Sequence, residues 1–295
     1  MALMPFDDRD GSIWINGEMI PWRQATSHTL SHGLHYASTV FEGERVYSGV
    51  IFKGREHTER LRRSCEMLDF ELPLSDDEVD FAKMAVVEAN SIVDGYVRAF
   101  AWRGSEMMAI SAQHTTTHVA IAAWEWPSYF DPETKMKGIT LDIADWKRPS
   151  PESAPVHAKA AGLYMICTLS KHAAEKKGFQ DALMLDYRGY LAEATGANVF
   201  FVDKEGTIHT PIADCFLDGI TRRTVIALAE SLQMKVVQRH LTLDDLSEMT
   251  ECFLTGTAAE VTPVSQIGDA SFTPGDISRQ LVDGYENLVR GRIAL

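Results

Sequence analysis

Residues 155–198 constrain this chain more than any other stretch. They read PVHAKAAGLYMICTLSKHAAEKKGFQDALMLDYRGYLAEATGAN. Leu163, Ile166, Leu169 and Ala173 recur at helical spacing, Gly178 supplies the stop, and a Pro-rich approach (148–155) delivers Lys159 just ahead of the helix. An apolar run, DALMLD (181–186), a turn at 187–189, the small-residue bend LAEATGAN and a strand NVFFVD (198–203) follow. A helix set between strand patterns calls for an α/β chain. It also lets one lysine (Lys159), one tyrosine (Tyr164) and one glutamate (Glu193) converge where a helix start meets strand ends.

Such a trio suits Schiff-base chemistry. A lysine amine condenses with an aldehyde, a phenol hydrogen-bonds a ring oxygen, and a carboxylate pairs with a pyridinium nitrogen so that the ring accepts electrons. Taken singly, none of the three marks a site. An isolated Lys is usually solvated, a Tyr in a first helical turn usually packs, and a Glu beside Gly is usually a loop charge.

At 295 residues the chain can bury a large core and is expected to form two domains, 1–128 and 138–295, with a linker over 129–137. The linker expectation rests on two prolines and mixed charge in PSYFDPETKMKG (127–138). A net charge of -14, with no basic stripe, argues against nucleic acid or an anionic membrane as partner. The acidic start, MALMPFDDRDG, has no apolar stretch long enough for a signal peptide, and VAIAAW (119–124) is too short to span a bilayer. A cytoplasmic protein is expected. Cys65, Cys167, Cys215 and Cys252 show no metal or redox spacing and read as reduced, mostly buried residues.

In chain order, IWINGEMIPW alternates apolar and polar residues around Asn16 and Gly17, a hairpin signal. HTLSHGLHYASTVFEGERVYSGVIF (28–52) reads as a loop, a strand, a turn at Ser48 and Gly49, and a second strand. His28, His32 and His35 would share one face of a helix and could bind zinc there, the basis of a rival reading as a zinc hydrolase. Gly33 weakens such a helix and no acidic or cysteine ligand accompanies them, so hydrogen-bonded loop histidines, and no metal, are expected.

REHTERLRRSCEMLDF (55–70) reads as an amphipathic helix with Leu61, Cys65 and Leu68 on one face and basic residues on the other. One of Arg55, Arg60, Arg62 and Arg63 could grip a phosphate, but spacing does not choose among them. A capping box, Ser75 to Glu78, opens a helix over 75–90. GYVRAFAW, HVAIAAW and ITLDIADW read as strands. DGITRRTVIALAESLQMK (218–235) reads as a loop feeding a helix striped by Val225, Leu228, Ala229 and Leu232. The amides of Ile220 and Thr221 would face an anion at its start. TGTAAEVTPV (255–264) is a second small-residue bend, and the last twenty residues read as an amphipathic helix.

AKAAGLY, EATGAN, LDGITR and TGTAAEVTPV, in this order, resemble the fold type IV pyridoxal-phosphate enzymes, and most closely the branched-chain amino acid aminotransferases. The likeness runs from IWINGEMIPW to about Val264. It implies a two-lobed α/β (α+β) fold, with a small N-terminal α/β lobe, a larger β-rich C-terminal lobe and pyridoxal 5'-phosphate between them.

The implied activity is transfer of the amino group of leucine, isoleucine or valine to 2-oxoglutarate. Lys159 would carry the cofactor and shuttle the proton, Glu193 would hold the ring nitrogen protonated, and Tyr164 would orient the ring oxygen. Arg60, Ile220, Thr221 and Thr257 would clamp the phosphate. Tyr36, Phe41, Arg45, Tyr96, Arg98, Thr257 and Ala258 would line the substrate pocket. Amino acid and keto acid substrates and at least a homodimer are implied.

One departure is GSEMMAISA (104–112), with Met107 and Ala109 where the family has glycines, and a shifted substrate preference is expected from it. D-amino acid or (R)-amine transamination and aminodeoxychorismate lyase activity are the alternatives within the fold.

Overall fold

The computed structural model describes residues 5–126 and 136–295; of the expected linker, residues 129–135 lie outside the described residues. The chain forms two compact units, one of Met1–Pro127 with Ala158–Gly162 and one of Ser128–His157 with Leu163–Leu295. The segment carrying Lys159 thus packs with the first unit, although it lies in sequence within the expected second domain.

The first unit is a seven-stranded sheet. Its elements are β1 (Ser12–Ile15), β2 (Glu18–Pro21), α1 (His32–Tyr36), β3 (Thr39–Phe41), β4 (Glu44–Tyr47), β5 (Val50–Ile51), α2 (Gly54–Met67), α3 (Asp76–Ala89), β6 (Gly95–Arg103) and β7 (Thr117–Glu125). The path is β2-β1-β7-β6-β4-β5, and β3 pairs with β6 beyond β4. The β1–β2 turn puts Asn16 at φ 51° and Gly17 at φ 102°, the left-handed pair that a tight hairpin needs. At α3, Ser75 accepts the Glu78 N–H while Glu78 reaches back to the Ser75 N–H, a reciprocal cap that satisfies two otherwise unpaired donors at the helix start.

Strand alternation sorts the residues after Thr39 onto two faces. Val40 pairs with Ala101 and Glu44 with Val97, so Val40, Glu44 and the residues in phase share a face with the small residues of β6. That face meets α2 and α3, because Glu42 reaches Arg60 and Glu44 reaches Lys83. Phe41, Arg45 and Tyr47 lie on the opposite face with Tyr96, Arg98 and Phe100. The expected single strand is two strands broken at Glu42 and Gly43, and the expected loop before it contains α1.

The glycine-poor stretch 104–112 is held by side chains. His32 Nε2 meets the Ala109 carbonyl at 2.9 Å, and Arg103 donates to that of Ala112 at 2.7 Å.

The second unit holds β8 (Ile139–Ile143), α4 (Met165–Lys176), β9 (Asp181–Leu185), β10 (Leu191–Ala194), β11 (Asn198–Asp203), β12 (Ile208–Thr210), α5 (Ile220–Ser231), β13 (Val236–Gln238), β14 (Met249–Gly256), β15 (Glu260–Ile267), β16 (Ala270–Ser271) and α6 (Asp276–Val289). The path β10-β9-β8-β15-β14-β11 closes into a barrel because β10 also pairs with β11. Strand β8 runs parallel to β9, which requires a crossover, and α4 supplies it. Leu141, Leu183, Val199, Phe201, Cys252 and Leu254 belong to one apolar core. Phe200 and Phe253, out of phase with them, stack at 5.0 Å and are fully buried.

Two expectations fail here. Helix α4 buries Cys167, Ser170 and Ala174, not the stripe through Leu163 and Leu169, and Leu169 is 43% exposed. Small side chains let the helix lie close to β8 and β9, and this outweighs the larger apolar residues. Likewise Leu232 is exposed at the end of α5, beyond its buried stripe. No helix among the described residues is long and apolar enough to cross a membrane.

Candidate functional site

Lys159 is gripped through its backbone on both sides. Its N–H donates to Ser64 Oγ on α2 at 3.0 Å, its carbonyl accepts the Phe41 N–H at 3.0 Å, and Ala160 bridges to Val40. The flanking Ala158 and Ala160 are buried. The ammonium group lies 5.1 Å from the centre of the Phe41 ring. A short 3-10 turn, Ala161–Tyr164, and then α4 follow, so the lysine does stand ahead of a helix.

Arg60 lies on α2 one turn before Ser64, and it is buried on the face that was expected to carry only apolar residues. Its Nε and Nη2 reach the two Glu42 oxygens at 2.7 and 2.8 Å, and His57 Nδ1 meets Glu42 Oε2 at 2.6 Å. The arginines that spacing could not separate are sorted by burial. Arg55 and Arg62 pair with Asp76, Asp77 and Asp80 at the surface, and Arg63 with Glu59.

On the opposite face of the sheet, the Arg98 guanidinium sits 4.6 Å over Phe41 and donates to Tyr96 Oη at 3.3 Å. Arg45, buried and cross-strand from Tyr96, lies 5.0 Å over Tyr47. Phe41, Arg45, Tyr96, Arg98 and Lys159 are therefore gathered within one unit. Tyr36 differs in its contacts, being 43% exposed on α1 and stacked on His32 at 4.6 Å.

In the second unit Glu193 is on strand β10, not in a bend, and pairs with Met184 and Asn198. Arg148 Nε lies 3.3 Å from its Oε1, and Asn198 Nδ2 donates to its Oε2 at 3.2 Å. Asn198 also donates to the Leu217 carbonyl at 3.0 Å and accepts the Gly219 N–H at 3.2 Å. One buried amide thus ties Glu193 to the start of α5. Sequence reasoning assigned no role to Asn198 or Arg148, although both stood inside the stretches it singled out; for Asn198 the small residues before it and the apolar strand after it were the signal for a buried polar partner, and for Arg148, between Lys147 and Pro149, there was none.

Gly219 is the N-cap of α5 and offers no side chain to the first-turn amides, which leaves Ile220 and Thr221, both buried, as donors of the kind that bind phosphate. A Cβ on Gly219 would come within 2.3 Å of Asn198 Oδ1. Thr257 and Ala258 occupy the β14–β15 turn, half-buried and exposed. Gly256 beside them approaches Ala197, so the two small-residue bends meet. Tyr164 is the N-terminal residue from which α4 runs.

Within the first unit stand a buried guanidinium and a lysine amine, and within the second first-turn amides, threonine hydroxyls, a phenol and a carboxylate backed by a cation; each is a group of the kind that a phosphate or an aldehyde-bearing pyridine calls for.

The histidines do other work. His32 bridges Ser38 and Ala109, His35 meets the Thr29 carbonyl, and His28 takes the Leu30 N–H. Among the described residues, Asp186, Asp214 and Cys215 bring metal-ligand atoms within 4.8 Å of one another. There Arg188 already supplies the cation, and Asp186 Oδ1 accepts the N–H groups of Arg188, Gly189 and Tyr190.

Residues 39–267 match the protein family described as Amino-transferase class IV. The chain is 42% identical over 294 residues, 98% of its length and 100% of the relative's, to a probable branched-chain-amino-acid aminotransferase of Rickettsia conorii. The crystal structure of the T.th. branched-chain amino acid aminotransferase with pyridoxamine 5'-phosphate superposes with a TM-score of 0.93, at 37% identity, covering 97% of this chain and 96% of that one. That protein is also known in complexes with N-(5'-phosphopyridoxyl)-L-glutamate and with 4-methylvaleric acid. An ordered set of cofactor-type donors, one closed barrel and a match over nearly the whole length agree, and the chain belongs to the class IV aminotransferase family, in its branched-chain amino acid aminotransferase group.

Proposed function

We propose that the chain is a pyridoxal-phosphate-dependent transaminase that passes the amino group of leucine, isoleucine or valine to 2-oxoglutarate. The observation that carries this reading is the double backbone grip on Lys159, which holds its amine against the Phe41 ring that Arg98 also contacts. The cofactor, when bound, supplies an aldehyde and an electron-accepting ring.

The side chains supply the rest. Lys159 Nζ anchors the cofactor and carries the proton taken from the substrate's α-carbon. Glu193, between Arg148 and Asn198, presents a carboxylate to the ring nitrogen. The Tyr164 hydroxyl orients the ring oxygen, and Arg60, the Ile220 and Thr221 amides and Thr257 hold the phosphate. Phe41 and Tyr96 supply apolar walls, Arg98 and Arg45 meet substrate carboxylates, and Tyr36, Thr257 and Ala258 complete the pocket. The 104–112 loop tunes the range of substrates. The protein works in the cytoplasm as a homodimer or larger homo-oligomer.

A spectrum of the purified protein, titrated with leucine and then 2-oxoglutarate, should shift and return. Borohydride reduction followed by peptide mapping should label Lys159, and a label elsewhere would overturn the assignment.

A further inference from the structure

Glu42 is completely buried at the break between β3 and β4, where both its oxygens are taken by Arg60 and one also by His57. Two parallel N–H to oxygen bonds fix the plane and direction of a guanidinium as well as its location. Burying such a group of charges is a poor source of stability, since apolar residues of similar volume often serve as well. Its geometric effect is larger.

Phe41, next to Glu42, binds the Lys159 carbonyl, and Ser64, one turn beyond Arg60, binds the Lys159 N–H. The Glu42 N–H is itself anchored to the Ala99 carbonyl at 2.7 Å. Glu42 therefore sets the bearing of the Arg60 guanidinium relative to the Lys159 backbone.

We propose that Glu42 is a positioning residue, aiming Arg60 at the cofactor phosphate in fixed relation to Lys159, with His57 holding Glu42 in place. The proposal rests on the reading of Arg60 as a phosphate ligand.

It is tested by measuring dissociation constants of pyridoxal phosphate and of phosphate-free pyridoxal for the full-length protein and its variants. Glu42→Gln should weaken pyridoxal phosphate about tenfold or more while changing pyridoxal about twofold or less. Combined with Arg60→Ala, it should add nothing to the effect of Arg60→Ala alone.

Equal losses for both cofactors, or additive losses in the double variant, overturn the proposal. Should Arg60→Ala itself leave the preference for the phosphorylated cofactor unchanged, the phosphate reading fails instead. If Glu42→Gln does not fold, His57→Leu decides: a loss confined to pyridoxal phosphate supports the positioning role, and a shared loss or none refutes it.

Discussion

Ser64 Oγ accepts the backbone N–H of Lys159 at 3.0 Å although 95 residues separate them. The bond fastens the lysine to α2, four residues beyond Arg60 and therefore on the same helical face. The lysine proposed to anchor the cofactor and the arginine proposed to hold its phosphate are in this way referred to one helix.

Ser64→Ala should leave the Lys159 N–H without that acceptor, at a cost of about 1–3 kcal/mol in denaturant unfolding. Turnover should fall with it, and Ser64→Thr, which keeps a hydroxyl, should recover most of both. Full activity in Ser64→Ala would show that the lysine is placed by other means.

Gly43 lies against Tyr96, and a Cβ there would stand 1.8 Å from its hydroxyl oxygen. Tyr96 is hemmed in by Trp124 and Trp126, at 5.1 and 5.4 Å between ring centres. Gly43→Ala should displace Tyr96 on the face proposed to receive the substrate and lower kcat/KM for leucine about tenfold or more. Unchanged kinetics would place the substrate elsewhere.

Gly219→Ala should break the Asn198 to Gly219 bond, since the added carbon meets Asn198 Oδ1 at 2.3 Å. We expect a loss of about 1–3 kcal/mol in stability together with weaker cofactor retention, because the same amide also steadies Glu193. Thermal unfolding with and without cofactor separates the two effects. An equal melting shift in both conditions would argue against the link.

Burial alone would raise the Glu42 carboxyl, but the charges and hydrogen bonds of Arg60 and then His57 reverse this and hold it well below the ordinary carboxylate range near 4.5. A depressed folded pKa contributes stability above the unfolded value, and that stability is lost as pH falls through the folded one. Glu42→Gln should thus be less stable than the parent by about 3–5 kcal/mol at neutral pH, and the gap should narrow steadily below about pH 4.5. Paired urea titrations at pH 7 and pH 3 check this. A constant gap would deny the ionised pairing.

The ordered motifs, the hairpin at Asn16 and Gly17, the capping box at Ser75 and the helix starting at Ile220 were legible from sequence. Each is a local preference written into adjacent residues. So was the family resemblance, because several short motifs in fixed order leave little room for another fold.

What residue spacing could not supply was which of the four arginines is buried, the strand position of Glu193, the face that α4 buries, and the pairing of Glu42, Arg148 and Asn198 with their partners. Those depend on contacts between residues far apart in the chain, where a buried charge is tolerated only opposite its partner. Spacing records which side chains can share a face. Only the closed barrel and the packed sheet decide which of them meet.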